Sequence, residues 1–157
     1  MASLIILISL DGHAGEPAFA PSDLDLHVAY CLGADEAVFI RQSAEIASKN
    51  ALLSDTYKRN AQATQQRLDL LNNYLDRRLP LLRQADMDAA SKQGFSDQKF
   101  TFTDSQIQSC FRQCSQPLLH RLDLPIDRRK TLWLRCSADC NENMPKLMTC
   151  SDLSWLQ

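Results

Sequence analysis

Glycine is scarce in this chain, at four of 157 residues, and proline little better, at six. Sheets built on many tight turns need more of both, so composition argues against a β fold and for long helices. Aromatic residues make up only 7%. An excess of one charge is lacking too: 17 basic residues face 19 acidic ones, a formal net charge of −2. No basic stripe with interleaved aromatics is present, so binding of nucleic acid through its phosphates is not expected. The one basic cluster, Arg128-Arg129-Lys130, reads as a solvated helix face. No apolar run is long enough to span a bilayer, so no transmembrane span is expected in the mature chain. Also missing are a Gly-x-Ser-x-Gly elbow, a phosphate loop, a dinucleotide fingerprint and a His-Glu-x-x-His pair. The carboxylates are scattered, and none sits in an apolar run that would raise its pKa. His120 lies near Asp123 but has no nucleophile to serve. A non-catalytic protein is expected.

The N-terminus differs from the rest. Leu4–Leu10 is a short apolar run, and Ala18-Phe19-Ala20 follows as a small-x-small site. Residues 1–20 therefore read as a secretory signal, with a cut after Ala14 as the alternative because Pro21 follows Ala20. Loss of residues 1–20 removes Asp11, Glu16 and His13 and leaves 17 charges of each sign. Residues 21–157 read as one domain, in the periplasm or secreted.

Within that domain the hydrophobic spacing predicts helices. The first runs over about 22–50, capped by Ser22, with Leu24, His27, Cys31, Ala34 and Val38 as its stripe and Gly33 as a point of close packing or bending. The second starts at Ser54 or Asp55. Its seam is Tyr57, Ala61, Thr64, Leu68, Leu71, Leu75 and Leu79 or Leu82, and Pro80 stops it. A short helix then ends at Gly94, and residues 95–105 form an extended linker laying Phe95, Phe100 and Phe102 over the helices. A capping box, Thr103 to Gln106, opens a third main helix that Pro117 ends. A fourth begins near Asp127, and a tail helix covers about 145–156. The expected fold is all-α: a small bundle in which an antiparallel helical hairpin packs on two longer helices.

Six cysteines give that hairpin its character. "CFRQC" places Cys110 and Cys114 one turn apart on one helix face, and "CSADC" does the same for Cys136 and Cys140. Near-parallel side chains on one helix do not bridge each other readily, so each needs a partner on a facing helix. The arms between the pairs are balanced. An antiparallel hairpin therefore nests Cys114–Cys136 inside Cys110–Cys140 and leaves Cys31–Cys150 to tie the first helix to the tail.

Twin Cys-x3-Cys hairpins of this kind are similar to those of the small Tim chaperones of the mitochondrial intermembrane space. The likeness covers the two motifs alone, and a chaperone-like role is what it implies. Three chemical uses of the sulfurs compete: a structural staple with no cofactor, a copper or zinc site, and a redox-active dithiol. The staple is favoured for an exported chain with an even cysteine count. The metal alternative would draw on Cys110, Cys114, Cys136, Cys140, Met144 and Met148. A half-site at His27 and Cys31 is set against a disulfide-bonded Cys31. Redox dithiols normally use Cys-x-x-Cys at a helix N-terminus, which is missing. The resulting expectation is an exported, disulfide-stabilised helical protein that acts as an accessory subunit toward a protein partner.

Overall fold

The computed structural model describes residues 19–48 and 54–156. Apart from Phe19 and Ala20, the expected secretory segment lies outside them, as do the end expected for the first helix at residue 50 and Leu4–Leu10 with His13. Six α-helices follow in order: α1 Asp23–Ala47, α2 Ser54–Asp76, α3 Gln84–Thr103, α4 Ser105–Leu119, α5 Ile126–Cys140 and α6 Met144–Thr149. Two 3-10 turns, Leu79–Leu81 and Leu153–Leu156, complete the list. The chain is a small all-α bundle, as expected, with no strand among the described residues. An isolated β-bridge pairs Phe19 with Leu82.

Helix α1 starts on a complete capping box: the Ser22 hydroxyl accepts from Asp25 N, and the Asp25 carboxylate accepts from Ser22 N. The stripe expected on α1 is narrower than the buried face. Val28, Ala29, Tyr30, Cys31, Ala34 and Ala37 are buried, whereas Leu24 is 42% exposed. The reason is packing on two sides, against both α2 and α3. Helix α2 presents the expected seam: Ala61, Thr64, Leu68, Leu71 and Leu75 are buried, and Leu82 continues it past the turn that holds Pro80.

The expected stop at Gly94 and the linker after it are corrected. Helix α3 runs unbroken through Gly94 to Thr103. Gly94 lies against the Tyr30 carbonyl and Gly33 against the Ser91 carbonyl, so a Cβ at either glycine would overlap backbone. Gly94 therefore serves a close crossing of α1 and α3. The alternating Phe100-Thr101-Phe102-Thr103 is helical, and its threonines bond back one turn, Thr101 to the Asp97 carbonyl at 2.9 Å and Thr103 to the Lys99 carbonyl at 3.0 Å. Phe100 stays about half exposed, and Phe102 lies under the Arg41 guanidinium.

Three further boundaries move. The cap of α4 is Asp104, one residue beyond Thr103, accepting from Gln106 N and Ile107 N. Helix α4 passes through Pro117 to Leu119. Only the last two residues follow that proline, and the helix is pinned one turn earlier at Cys114, so the lost backbone bond is tolerated. The tail breaks into α6 and a 3-10 turn, because Cys150, tied to Cys31, caps α6.

Buried carboxylates pin the bundle, contrary to the sequence expectation of none in apolar surroundings. Asp25 is fully buried and receives Arg78 through two nitrogens, together with Tyr74 at 3.0 Å and Ser22 at 2.6 Å. Burial alone would raise its pKa, but these donors outweigh it and hold the carboxyl well below the usual range. Asp35 takes both arms of Arg67 at 2.8 and 2.9 Å, yet burial still pushes its pKa up. Asp97 accepts from Tyr30 at 2.9 Å and from Gln93 at 2.7 Å.

Gly94→Ala is expected to destabilise the fold by about 1–3 kcal/mol, since two backbones must separate. Exposed Lys92→Ala should stay within about 0.5 kcal/mol, and parallel thermal melts check both. A depressed folded pKa contributes stability that is present above the unfolded value and lost as pH falls toward the folded one. Urea unfolding between pH 5 and pH 2 should therefore show falling stability, with a shallower fall in Asp25→Asn. Because Asp25→Asn leaves Arg78 without its carboxylate, the variant should also be less stable at pH 7, by about 2–3 kcal/mol.

Candidate docking face

Helices α4 and α5 run antiparallel as two arms of one hairpin. Cys110 bonds Cys140 and Cys114 bonds Cys136, each with Cα atoms 5.8 Å apart, and Cys31 bonds Cys150 with Cα atoms 5.1 Å apart. No cysteine is free. The nested ladder follows from helix geometry: sulfurs one turn apart on each arm meet in opposite order. Sequence separations of 30 and 22 correspond to about 3–4 kcal/mol each if each loop closed alone, and the separation of 119 to about 5 kcal/mol. The nested pair adds less than its sum, because one bridge already shortens the loop the other closes. Its second bridge fixes register.

The base of the hairpin is tied to α3 at Thr101. Gln108 donates to the Thr101 carbonyl at 2.6 Å, and the Asn141 amide donates to the Thr101 hydroxyl at 2.7 Å. Toward the other end, Phe111 and Trp133 meet in a tilted pair 5.9 Å between centroids. Trp133 Nε1 donates to Ser115 Oγ at 3.1 Å, and Ser115 Oγ donates to the Phe111 carbonyl at 2.8 Å. Beyond this aromatic floor lies a shallow, open groove of about 570 Å³, lined by Ser115, Leu118, Leu119, Ile126, Arg129, Lys130 and Trp133. The tip itself is apolar and open to water: Leu119 is 67% exposed, Leu122 80% and Ile126 73%.

Charge distributes unevenly. The hairpin carries Arg112, Arg121, Arg128, Arg129, Lys130 and Arg135 against Asp123, Asp127 and Asp139, a net +3 on a chain of net −2. Arg121 grips Asp123 with Nε and Nη2 at 2.9 Å. Arg128, Arg129 and Lys130 form no ion pair among the described residues. The suggested pairing of His120 with Asp123 does not form: Asp123 belongs to Arg121, and His120 is the exposed C-cap of α4.

The residues of the metal alternative divide. Sulfurs of Cys110, Cys114 and Cys140 lie within 4.8 Å of one another, as do ligand atoms of His27, Cys31 and Cys150. All of these cysteines are disulfide-bonded, and a disulfide sulfur is not the thiolate that copper or zinc takes. Met148 lies at a separate surface groove with Leu134, Ala138 and Pro145. His27 instead bonds Thr149 at 3.1 Å and packs on Trp155, and burial, then Lys146, lowers its pKa.

Sequence reasoning foresaw the arms and the nested pairing. It missed the groove, although Ile126, Arg129, Lys130 and Trp133 fall at i, i+3, i+4 and i+7, a pattern legible once α5 is known to start at Ile126. Fold and site together define a small all-α bundle that carries a disulfide-stapled helical hairpin. No protein-family model, curated protein or solved structure matches this chain.

Alkylation without reductant is expected to leave the intact mass unchanged, and alkylation after reduction to add six labels, with no zinc or copper in elemental analysis. Four free thiols with about one bound metal ion would instead support the metal alternative.

Proposed function

We propose that the protein is an exported, non-catalytic accessory subunit that engages a protein partner through the tip of its α4–α5 hairpin. The observation that carries this reading is the cluster Leu119, Leu122 and Ile126, three large apolar side chains held open to water on a stapled support. Covering apolar surface contributes roughly 25 cal/mol per Å² removed from water. A hairpin whose register is already locked loses little further freedom on binding, so more of that contribution is realised as affinity. Disulfide bonding supports an oxidising compartment, periplasmic or extracellular. A signal cut after Ala14 would leave Phe19 in its bridge with Leu82, and a cut after Ala20 would remove it.

The test is capture from the extracellular or periplasmic fraction of the source cells. Wild-type bait is compared with a Leu119→Ser, Leu122→Ser, Ile126→Ser triple variant. All three side chains are exposed, so the variant should keep its helicity and its three disulfides. A protein recovered stoichiometrically by wild type and lost with the triple variant is the expected result. Identical recoveries with both baits would remove the tip as the binding face.

A further inference from the structure

One polar atom in the hairpin groove is out of balance. Arg129 Nε is buried and has no hydrogen-bond partner among the described residues. Buried polar groups in folded proteins are nearly always paired, and a charged donor is the costliest to leave unmade. The lining side chains of Leu118, Leu119 and Ile126 are apolar, and the Ser115 hydroxyl accepts from Trp133 and donates to the Phe111 carbonyl. Asp123, whose charge reaches Arg129, is held by Arg121. Lys130 forms no ion pair with Asp152 among the described residues.

The groove is shallow and framed by two helices. Ile126, Arg129, Lys130 and Trp133 make one stripe along two turns of α5, and Ser115, Leu118 and Leu119, at i, i+3 and i+4, make the facing stripe on α4. A furrow between two antiparallel helices is the seat a third helix takes, with its side chains between theirs. We infer that this groove binds an amphipathic helix of a partner protein, with an Asp or Glu on the helix's apolar edge placed against Arg129. This rests on the reading of the hairpin tip as the docking face, and adds what docks there. On docking, the half-buried Arg129 side chain must turn its guanidinium toward the groove, where a carboxylate meets Nε and a second nitrogen in the bidentate geometry arginine favours. Arg128 and Lys130, free of ion pairs among the described residues, favour further acidic residues along the same helix. A bilayer would meet the exposed Leu122, which does not line the groove. Asp123 and Asp127, on the same hairpin, oppose a phosphate backbone.

The experiment uses the oxidised full chain and two labelled synthetic peptides of about five helical turns. Both carry the same leucine edge; one has glutamates flanking it, the other lysines. Fluorescence anisotropy is expected to show the glutamate peptide binding at least about tenfold more tightly than the lysine peptide. Arg129→Gln should weaken the glutamate peptide about tenfold, while Arg112→Gln, on the other arm of the hairpin and outside the groove, stays within about twofold of wild type. Helicity and disulfide count are checked for each variant. Arg129→Lys, which keeps the charge but removes the Nε donor, should fall between wild type and Arg129→Gln.

The inference is overturned if the two peptides bind alike, if neither binds, or if Arg129→Gln matches Arg112→Gln. Binding to anionic phosphatidylglycerol vesicles without binding to the glutamate peptide overturns it too. Should the triple serine variant still lose a captured partner in any of these cases, the tip reading stands and this inference alone falls. If that variant loses nothing, the tip reading falls first.

Discussion

Two disulfides across a pair of 15-residue helices are the constraint on which the outer part of this molecule depends. Helices of that length are marginal by themselves in water. The α4–α5 hairpin buries little to compensate: Ile107 and Cys114 on one arm and Ser137 on the other. Its principal contacts with the rest of the fold are to α3 at its base and to α6. Covalent cross-links stand where a hydrophobic core would otherwise stand, the usual device of small exported domains. The third bridge, Cys31–Cys150, ties the tail that follows the hairpin back to α1.

The other half of the fold is stabilised differently. Helices α1, α2 and α3 share a core centred on Val28, Tyr30, Leu71, Leu75 and Met87. Two glycines let α1 and α3 approach at backbone distance, and three buried aspartates with their donors fix how the helices sit. Such satisfied networks specify one arrangement among the many that apolar packing alone would permit. The bundle is thus a platform, and the hairpin is an arm whose form is set by sulfur. That division explains how leucine and isoleucine can remain exposed at the tip: the arm does not need them for its own stability.

Much of this was legible in the sequence because it follows from period and spacing. The seam of α2 could be read residue by residue, and the Ser22 box announced the start of α1. Two Cys-x3-Cys pairs with balanced arms admitted one nested pairing. What escaped were features set by tertiary contact. Gly94 carries the same local signal as a helix stop, and only Tyr30 on α1 distinguishes a crossing from an end. Asp97 and Thr101 interrupt the apolar face of α3, so its period vanished although both are buried and paired. Asp25 and Asp35 lie in no apolar run, yet they are spaced three residues before Val28 and four after Cys31, on the buried face. Pro117 was read by its backbone preference, without the bridge one turn away.

Residue-resolved amide hydrogen exchange on the oxidised and the fully reduced protein tests the division between platform and arm most directly. In the oxidised chain both parts should be protected. On reduction, amides of α4 and α5 should lose protection by orders of magnitude while the centres of α1, α2 and α3 retain most of theirs. Equal protection of the hairpin before and after reduction would contradict the claim that sulfur, and not packing, holds the arm in shape.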